Sequence, residues 1–308
     1  RMSLVDVPNN GVVLPNLGEL FVEPMEIQAP AKINLFLRVV ARRSDGYHDL
    51  NTLMCCIGLH DTLRIEVGGD RYTLICSDPD LPSDHTNLAL KAALSFNSAL
   101  SADTKITPQH LSIHLTKRIP AGAGLGGGSS DAAAVLRGLN HYYAYPLNRK
   151  RMIALALKLG ADVPFFIDGK PAIATGVGEV LSPYSKLSPQ GVVVVYPGFG
   201  ISTAEVFKNL NLALTKCEKP LRYFPFEQGK VDMADYLCND LETVAVHQFP
   251  VIDQIKKELL RHGAKGASMT GSGSAVFGLF SDVSAARKAA EDMVRPSQWR
   301  VYATQLIC

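Results

Sequence analysis

From Pro120 to Asp131 the chain reads Pro-Ala-Gly-Ala-Gly-Leu-Gly-Gly-Gly-Ser-Ser-Asp, with five glycines in the seven positions 122–128. Residues without a Cβ leave backbone N–H groups bare to a ligand. The run opens directly into Ala132-Ala-Ala-Val-Leu136, which has the character of a helix start. Unpaired N–H groups and the positive end of the helix dipole make such a junction an anion site, and a phosphate chain is its natural occupant. A flexible hinge is the bland alternative, but a hinge does not need to open into a helix.

Three familiar phosphate-binding patterns do not fit. Gly122-x-Gly124-x-x-Gly127 satisfies the dinucleotide fingerprint, yet Lys117-Arg-Ile-Pro120 precedes it where a buried apolar strand belongs. An acid is also required roughly 20 residues further on, where the chain reads Leu147-Asn-Arg-Lys150. A Walker loop places lysine after its last glycine, and Ser129-Ser130 stands there instead. A protein kinase needs V-A-I-K and H-R-D segments, and neither is present.

Other residues gain meaning from their surroundings. Lys32 lies mid-strand among Ile33, Leu35 and Leu37, where an unpaired ammonium is costly to bury. Strand alternation puts Lys32 and Asn34 on one face; an exposed strand lysine is the competing reading. Asp162 follows Gly160 and precedes the apolar Val-Pro-Phe-Phe166, a wall that limits solvation. An N-cap or turn aspartate is the ordinary reading of such a position. Tyr47 and His48 follow Asp45-Gly46 in a turn, where such a pair is commonly surface. His60, His85, His110, His114, His141, His247 and His262 show no metal-ligand spacing.

The elements that must hold these groups follow from periodicity. Met25–Val40, Thr62–Val67, Tyr72–Cys76 and Leu111–Thr116 read as strands. Thr86–Leu100, capped by Thr86, reads as a helix, as do Ser129–Tyr143 and Asn148–Leu159, the last closed by Gly160. Strands in runs make this half α+β. Beyond it, strands near Ala172–Thr175, Val192–Tyr196, Ser274–Phe280 and Trp299–Gln305 alternate with helices near Thr203–Asn209, Asp232–Val246, Val251–Arg261 and Val283–Val294. That order suggests a ferredoxin-like sandwich.

Composition sets the class. The 308 residues are 47% hydrophobic and 19% charged with a net charge of +2, so two domains can each bury a core. The basic clusters are short and read as solvated surface, so neither nucleic acid nor a membrane surface is expected as a partner. No run approaches the roughly 18–20 apolar residues of a membrane helix. Six cysteines without C-x-x-C spacing suggest reduced thiols of a cytoplasmic protein. Residues 1–25 resemble neither a signal nor a transit peptide and are expected to be a loosely tied extension.

The pattern Pro120-x-Gly-x-Gly-x-Gly-Gly-Gly-Ser-Ser130 closely resembles the second motif of the GHMP small-molecule kinases. Ala29-Pro-Ala-Lys-Ile-Asn-Leu-Phe-Leu37 resembles the family's first motif, and Met269-Thr-Gly-Ser-Gly-Ser-Ala-Val-Phe277 its third. All three stand in order across nearly the whole chain after residue 25. Arg43-Ser-Asp-Gly-Tyr-His-Asp49, Gly160-Ala-Asp-Val-Pro-Phe-Phe166, Gly176-Val-Gly-Glu179 and Asn239-Asp-Leu-Glu242 resemble one branch in particular. That branch phosphorylates a cytidine diphosphate-linked methylerythritol in non-mevalonate isoprenoid precursor synthesis. Galactokinases, homoserine kinases and mevalonate kinases share the glycine loop but not Asp-Gly-Tyr-His.

The resemblance implies a two-domain α+β fold: a ribosomal protein S5 domain 2-like unit over residues 26–175 and a ferredoxin-like unit over 176–308. It implies ATP as co-substrate, with Mg2+, and transfer to the acceptor's 2-hydroxyl. Lys32 and Asp162 become the catalytic pair, Asp162 taking the hydroxyl proton and Lys32 stabilising charge. Pro120, Ala121, Gly122, Ala123, Gly124, Leu125, Gly126, Gly127, Gly128, Ser129 and Ser130 become the ATP loop, with Ser130 the candidate metal ligand and Asn87 and Lys117 on the adenosine half. Asn34, Tyr47, His48, Thr203 and Phe207 become the acceptor site, with the cytosine between Tyr47 and Phe207. A monomer or weak homodimer acting on a small molecule is expected. The rivals are another GHMP kinase and a non-catalytic nucleotide sensor, against which the Lys32–Asp162 pair speaks.

Overall fold

A computed structural model describes residues 24–210 and 232–308 of the chain; Cys217 and most of the expected extension fall outside them. Strands β1 (Met25–Arg42) and β2 (His48–Val67) form a long antiparallel hairpin whose register sets Lys32 opposite Cys56 and Asn34 opposite Met54. The register shifts between Pro30 and Lys32 and again between Asn34 and Phe36. Proline cannot donate to a ladder, and a bulge is where a strand tolerates it and re-aims its side chains. The two catalytic-motif polar residues thus stand between two irregularities.

β3 (Thr73–Cys76) lies parallel to β4 (Leu111–Thr116), which pairs with β2. Helices α1 (Leu88–Asp103), α2 (Gly127–Tyr142), α3 (Arg149–Leu159) and α4 (Val163–Asp168) pack on this sheet around Leu63, Phe96, Ile113, Leu136 and Phe165. Asn87, not Thr86, caps α1 by accepting the Ala89 N–H; Thr86 instead bonds to Asp84. Gly160 does end α3, but in an extended conformation rather than the left-handed one.

β5 (Ala172–Gly176) and β6 (Val180–Pro183) form a hairpin, with β5 paired to Leu50–Met54 of β2. The seam expected between residues 175 and 176 falls within this hairpin, whose first strand pairs with β2.

In the second unit β7 (Gly191–Tyr196) is followed by α5 (Thr203–Lys208), β8 (Cys238–Asn239), α6 (Glu242–Gln248), α7 (Val251–Arg261), β9 (Gly266–Met269), β10 (Val276–Phe280), α8 (Val283–Asp292) and β11 (Arg300–Ile307). The sheet order β11-β7-β10-β9 is fourth, first, third, second, the antiparallel order of a ferredoxin-like sandwich. Central β7 is buried on both faces: Val192 and Val194 enter one core, Val193 and Val195 another. Ala172–Thr175 is thus not one of the four strands; β9 is, and its Gly-Ala-Ser-Met composition carries no strand signal. The helix expected over Asp232–Val246 is a 3-10 turn (Ala234–Tyr236), β8 and α6, because Cys238 and Asn239 pair with β1. Cys55, Cys56, Cys76 and Cys308 are free, but Cys238 is disulfide-bonded, which corrects the expectation of reduced thiols throughout.

Candidate active site

A cleft of about 570 Å³ runs between the two units, lined by the glycine loop, β1, β2, α5 and the turn after β9. Lys32 enters it from the bulged part of β1 with only 4% of its side chain exposed. Its ammonium donates to Asn34 Oδ1 at 2.6 Å and lies 3.7 Å from the Asp162 carboxylate. Asn34 donates in turn to Thr52 Oγ1 at 2.8 Å, and Thr52 donates to the Phe36 carbonyl at 2.6 Å. Asn34, expected on the acceptor, therefore also aims the ammonium. Buried polar groups are stable only when partnered in this way.

Asp162 occupies the N-cap position of α4, yet its side chain caps nothing. With Pro164 starting the helix, the carboxylate is left facing the cleft. It is 40% exposed, more open than an apolar wall implied, because Phe165 and Phe166 turn into the core instead.

The glycine loop alternates its backbone. Gly122, Gly124 and Gly126 all have positive φ, and Gly126, at +72°, is the left-handed N-cap of α2. Alternating conformations of this kind turn successive N–H groups into one concavity suited to anions. Every loop residue from Pro120 to Ser129 lines the cleft except Leu125, which is buried and accepts the Lys32 N–H through its carbonyl at 2.9 Å. Ser130 does not line the cleft, and its hydroxyl is buried without a partner.

The turn after β9 closes the floor. Thr270 Oγ1 accepts the Asn34 N–H at 3.1 Å, and a Cβ on Gly271 would stand 3.3 Å from the Lys32 ammonium. Thr203 and Ser272 share a hydrogen bond of 2.7 Å across the wall. Phe207 lines the cleft and stacks on His48, ring centroids 5.0 Å apart. Tyr47, expected opposite Phe207, is 65% exposed and outside the cleft; the turn residues swing it to solvent. Burial first, and then Arg42, hold the His48 imidazole below its ordinary pKa.

At the other end Asn87 and Lys117 line the cleft. The Lys117 ammonium is held between Asp61 and Asp131, 2.7 Å from the latter, and all three side chains are nearly fully buried. Asp61 also accepts the backbone N–H groups of Arg118 and Ile119. Asp131 has the one donor, its Oδ1 has no partner, and burial pushes its carboxyl up to about 7 against the pull of Lys117. Asp61 and Thr52 stand outside every sequence motif, and Thr270 and Ser272 are marked there only as members of the third motif. An acid at position 61, flanked by Leu59 and Leu63 in a strand, was the available signal. Among the described residues no group of three His, Cys, Asp or Glu could cage a metal, and no helix is long and apolar enough to cross a membrane.

Comparison with known proteins follows this geometry. The model of the GHMP kinases N terminal domain matches residues 87–170, and that of the GHMP kinases C terminal domain matches 229–296. A 4-diphosphocytidyl-2-C-methyl-D-erythritol kinase of Syntrophotalea carbinolica is 45% identical, over 90% of this chain and 97% of its own. One of Geobacter sulfurreducens is 41% identical, over 93% and 100%. The crystal structure of a 4-(cytidine 5'-diphospho)-2C-methyl-D-erythritol kinase superposes with a TM-score of 0.77 at 38% identity, covering 92% of this chain and 99% of that one. Methanococcus jannaschii mevalonate kinase, at 15% identity and a TM-score of 0.66 over 94% of this chain and 100% of its own, shares the fold alone.

Proposed function

The chain belongs to the GHMP kinases and, within them, to the 4-diphosphocytidyl-2-C-methyl-D-erythritol kinases, and on that premise we propose which of its residues move the phosphoryl group. The acceptor's 2-hydroxyl oxygen attacks the γ-phosphorus of ATP, the bond to the β-phosphate oxygen breaks, and ADP leaves. The hydroxyl proton passes to Asp162. Lys32 neutralises charge gathering on the transferred group, and being buried it does so without solvent reorganisation. The observation that carries this reading is the buried Lys32 ammonium 3.7 Å from an uncapped, cleft-facing Asp162.

The glycine loop and the α2 N-terminus cradle the phosphates. Magnesium would enter with ATP and supply charge neutralisation to its phosphates. Ser130, in the first turn of α2, would supply a protein oxygen to the metal only by turning its buried, partnerless hydroxyl toward the cleft, which it does not line. Thr203, Phe207 and His48 receive the cytidine end, with Tyr47 at its rim. The working unit is a monomer or weak homodimer in the cytoplasm, without nucleic acid or membrane.

The test supplies ATP with a panel of acceptors: the cytidine diphosphate compound, 2-C-methylerythritol 4-phosphate, homoserine, mevalonate and galactose. Phosphorylation of the first, with at least about a hundredfold preference in kcat/KM, is the expected result. Equal turnover of a compound lacking cytidine refutes the acceptor; nucleotide binding with no transfer to any acceptor refutes the kinase mechanism.

A further inference from the structure

The segment Asn239-Asp-Leu-Glu242 touches neither glycine loop from inside the cleft except through Leu241, yet it grips the third motif from behind. The Asn239 amide donates to two carbonyls of that motif, Met269 and Gly271, each at 2.8 Å, while its Oδ1 accepts the Leu241 N–H at 3.0 Å. Both amide hydrogens and the amide oxygen are thereby used, and no other side chain of this size offers that set. Glu242 accepts the Met269 N–H at 2.8 Å. On the other side the segment is tied to β1: Asn239 lies opposite Leu37, the Asp240 N–H reaches the Leu37 carbonyl at 2.9 Å, and Asp240 Oδ2 accepts the Val39 N–H at 2.9 Å.

The clasp thus joins the strand carrying Lys32 to the turn that closes over Lys32. A Cβ at Gly271 would lie 3.1 Å from the Gly124 carbonyl and 3.3 Å from the Lys32 ammonium, so a glycine is what lets the turn come this close to the loop and to Lys32. Its outer side is held by Asn239.

We propose that Asn239 is a positioning residue for phosphoryl transfer: it fixes the Met269–Gly271 backbone and, through it, the Lys32 ammonium against Asn34 and Asp162. This rests on the catalytic reading of Lys32 and Asp162 given above. Asn239 is 7% exposed and does not line the cleft, so its removal acts on the reacting groups and not on ligand contact.

The experiment is a double-mutant cycle of Asn239→Ala and Lys32→Ala, read by turnover at saturating ATP and acceptor. Asn239→Ala lowers kcat about 10- to 100-fold, the scale of a misplacement near 1 Å, with both KM values within about threefold. In the Lys32→Ala background the same change lowers kcat less than about twofold, because the group it positions is gone. Ile252→Val, buried on α7 away from the cleft, sets the loss from destabilisation alone. If alanine does not fold, Asn239→Asp keeps the size and the Leu241 bond while turning oxygen toward two carbonyls, and gives the same cycle. Equal losses in both backgrounds, or a raised KM at unchanged kcat, overturn the proposal. Full turnover by Lys32→Ala overturns the catalytic reading beneath it; collapse of Lys32→Ala with Asn239→Ala intact overturns this proposal alone.

Discussion

At the Lys32–Asp162 pair the two charges have different surroundings: the ammonium is buried and donates to Asn34, while the carboxylate is 40% exposed and faces the cleft. Asp162→Asn keeps the shape and removes the proton acceptor, so kcat is expected to fall by about three orders of magnitude, with ATP affinity by calorimetry nearly unchanged. Turnover within a few-fold of the parent refutes the assignment. Asp131 makes a second prediction. Its carboxyl titrates near 7 in the fold, far above the ~3.9 of an unfolded chain. The folded protein therefore binds more protons between those values, and this contribution to stability, complete below about pH 4, is lost as pH rises toward 7. Asp131→Asn is expected to flatten the decline of the thermal midpoint between about pH 5 and pH 7.5; an unchanged slope rules it out. Residue types were legible where a chemical anomaly marked them, as with Lys32 in an apolar strand. Asp61 bore the same kind of mark, an acid among leucines in a strand, but its partner Lys117 lies 56 residues further on; Asn34 in its second role depends on a bulge that local alternation does not encode.

Among the elements, the loop-to-α2 junction is the most constrained. Gly126 needs a positive φ, and a Cβ there would stand 3.0 Å from Phe166 and 3.2 Å from the Lys32 side chain. Gly126→Val adds two methyls to that crowding in a backbone conformation β-branched residues avoid. ATP affinity by calorimetry is expected to fall at least about a hundredfold in the folded variant, and unchanged affinity contradicts a phosphate cradle. Long periodic elements, α1 to α3, β1 and β4, could be read from pattern, but of β2 (His48–Val67) only Thr62–Val67 alternates cleanly enough to read. Short ones could not: β8 and β9 exist because β1 and β10 pair with them, and a segment such as Gly266-Ala-Ser-Met269 has no preference of its own to read.

For the whole molecule, the proposed acceptor site implies that binding energy at the remote cytidine end serves to place the 2-hydroxyl. Phe207→Ala is expected to raise KM for the full acceptor by the ~1–3 kcal/mol of base–aromatic stacking, and 2-C-methylerythritol 4-phosphate to lose kcat as well as affinity. Equal kinetics for full and truncated acceptors exclude this use of remote binding. A base between two rings needs them about 7 Å apart, twice a van der Waals contact, and His48 and Phe207 stand at 5.0 Å. Under the proposed acceptor site, a cytosine entering between His48 and Phe207 would therefore require α5 or the hairpin tip to shift. The rest of the frame is poorly suited to shifting. β11 pairs with β7 from Arg300 to Gln305 and then with β2 at Leu306 and Ile307, so the two halves share one ladder. In mechanical terms the last strand is a tie-rod: a force pulling the halves apart loads its hydrogen bonds in series with both sheets instead of stretching a slack linker. The shift that cytosine entry calls for thus falls on α5 and the β1–β2 tip, which lie outside the strand pairing that joins the halves.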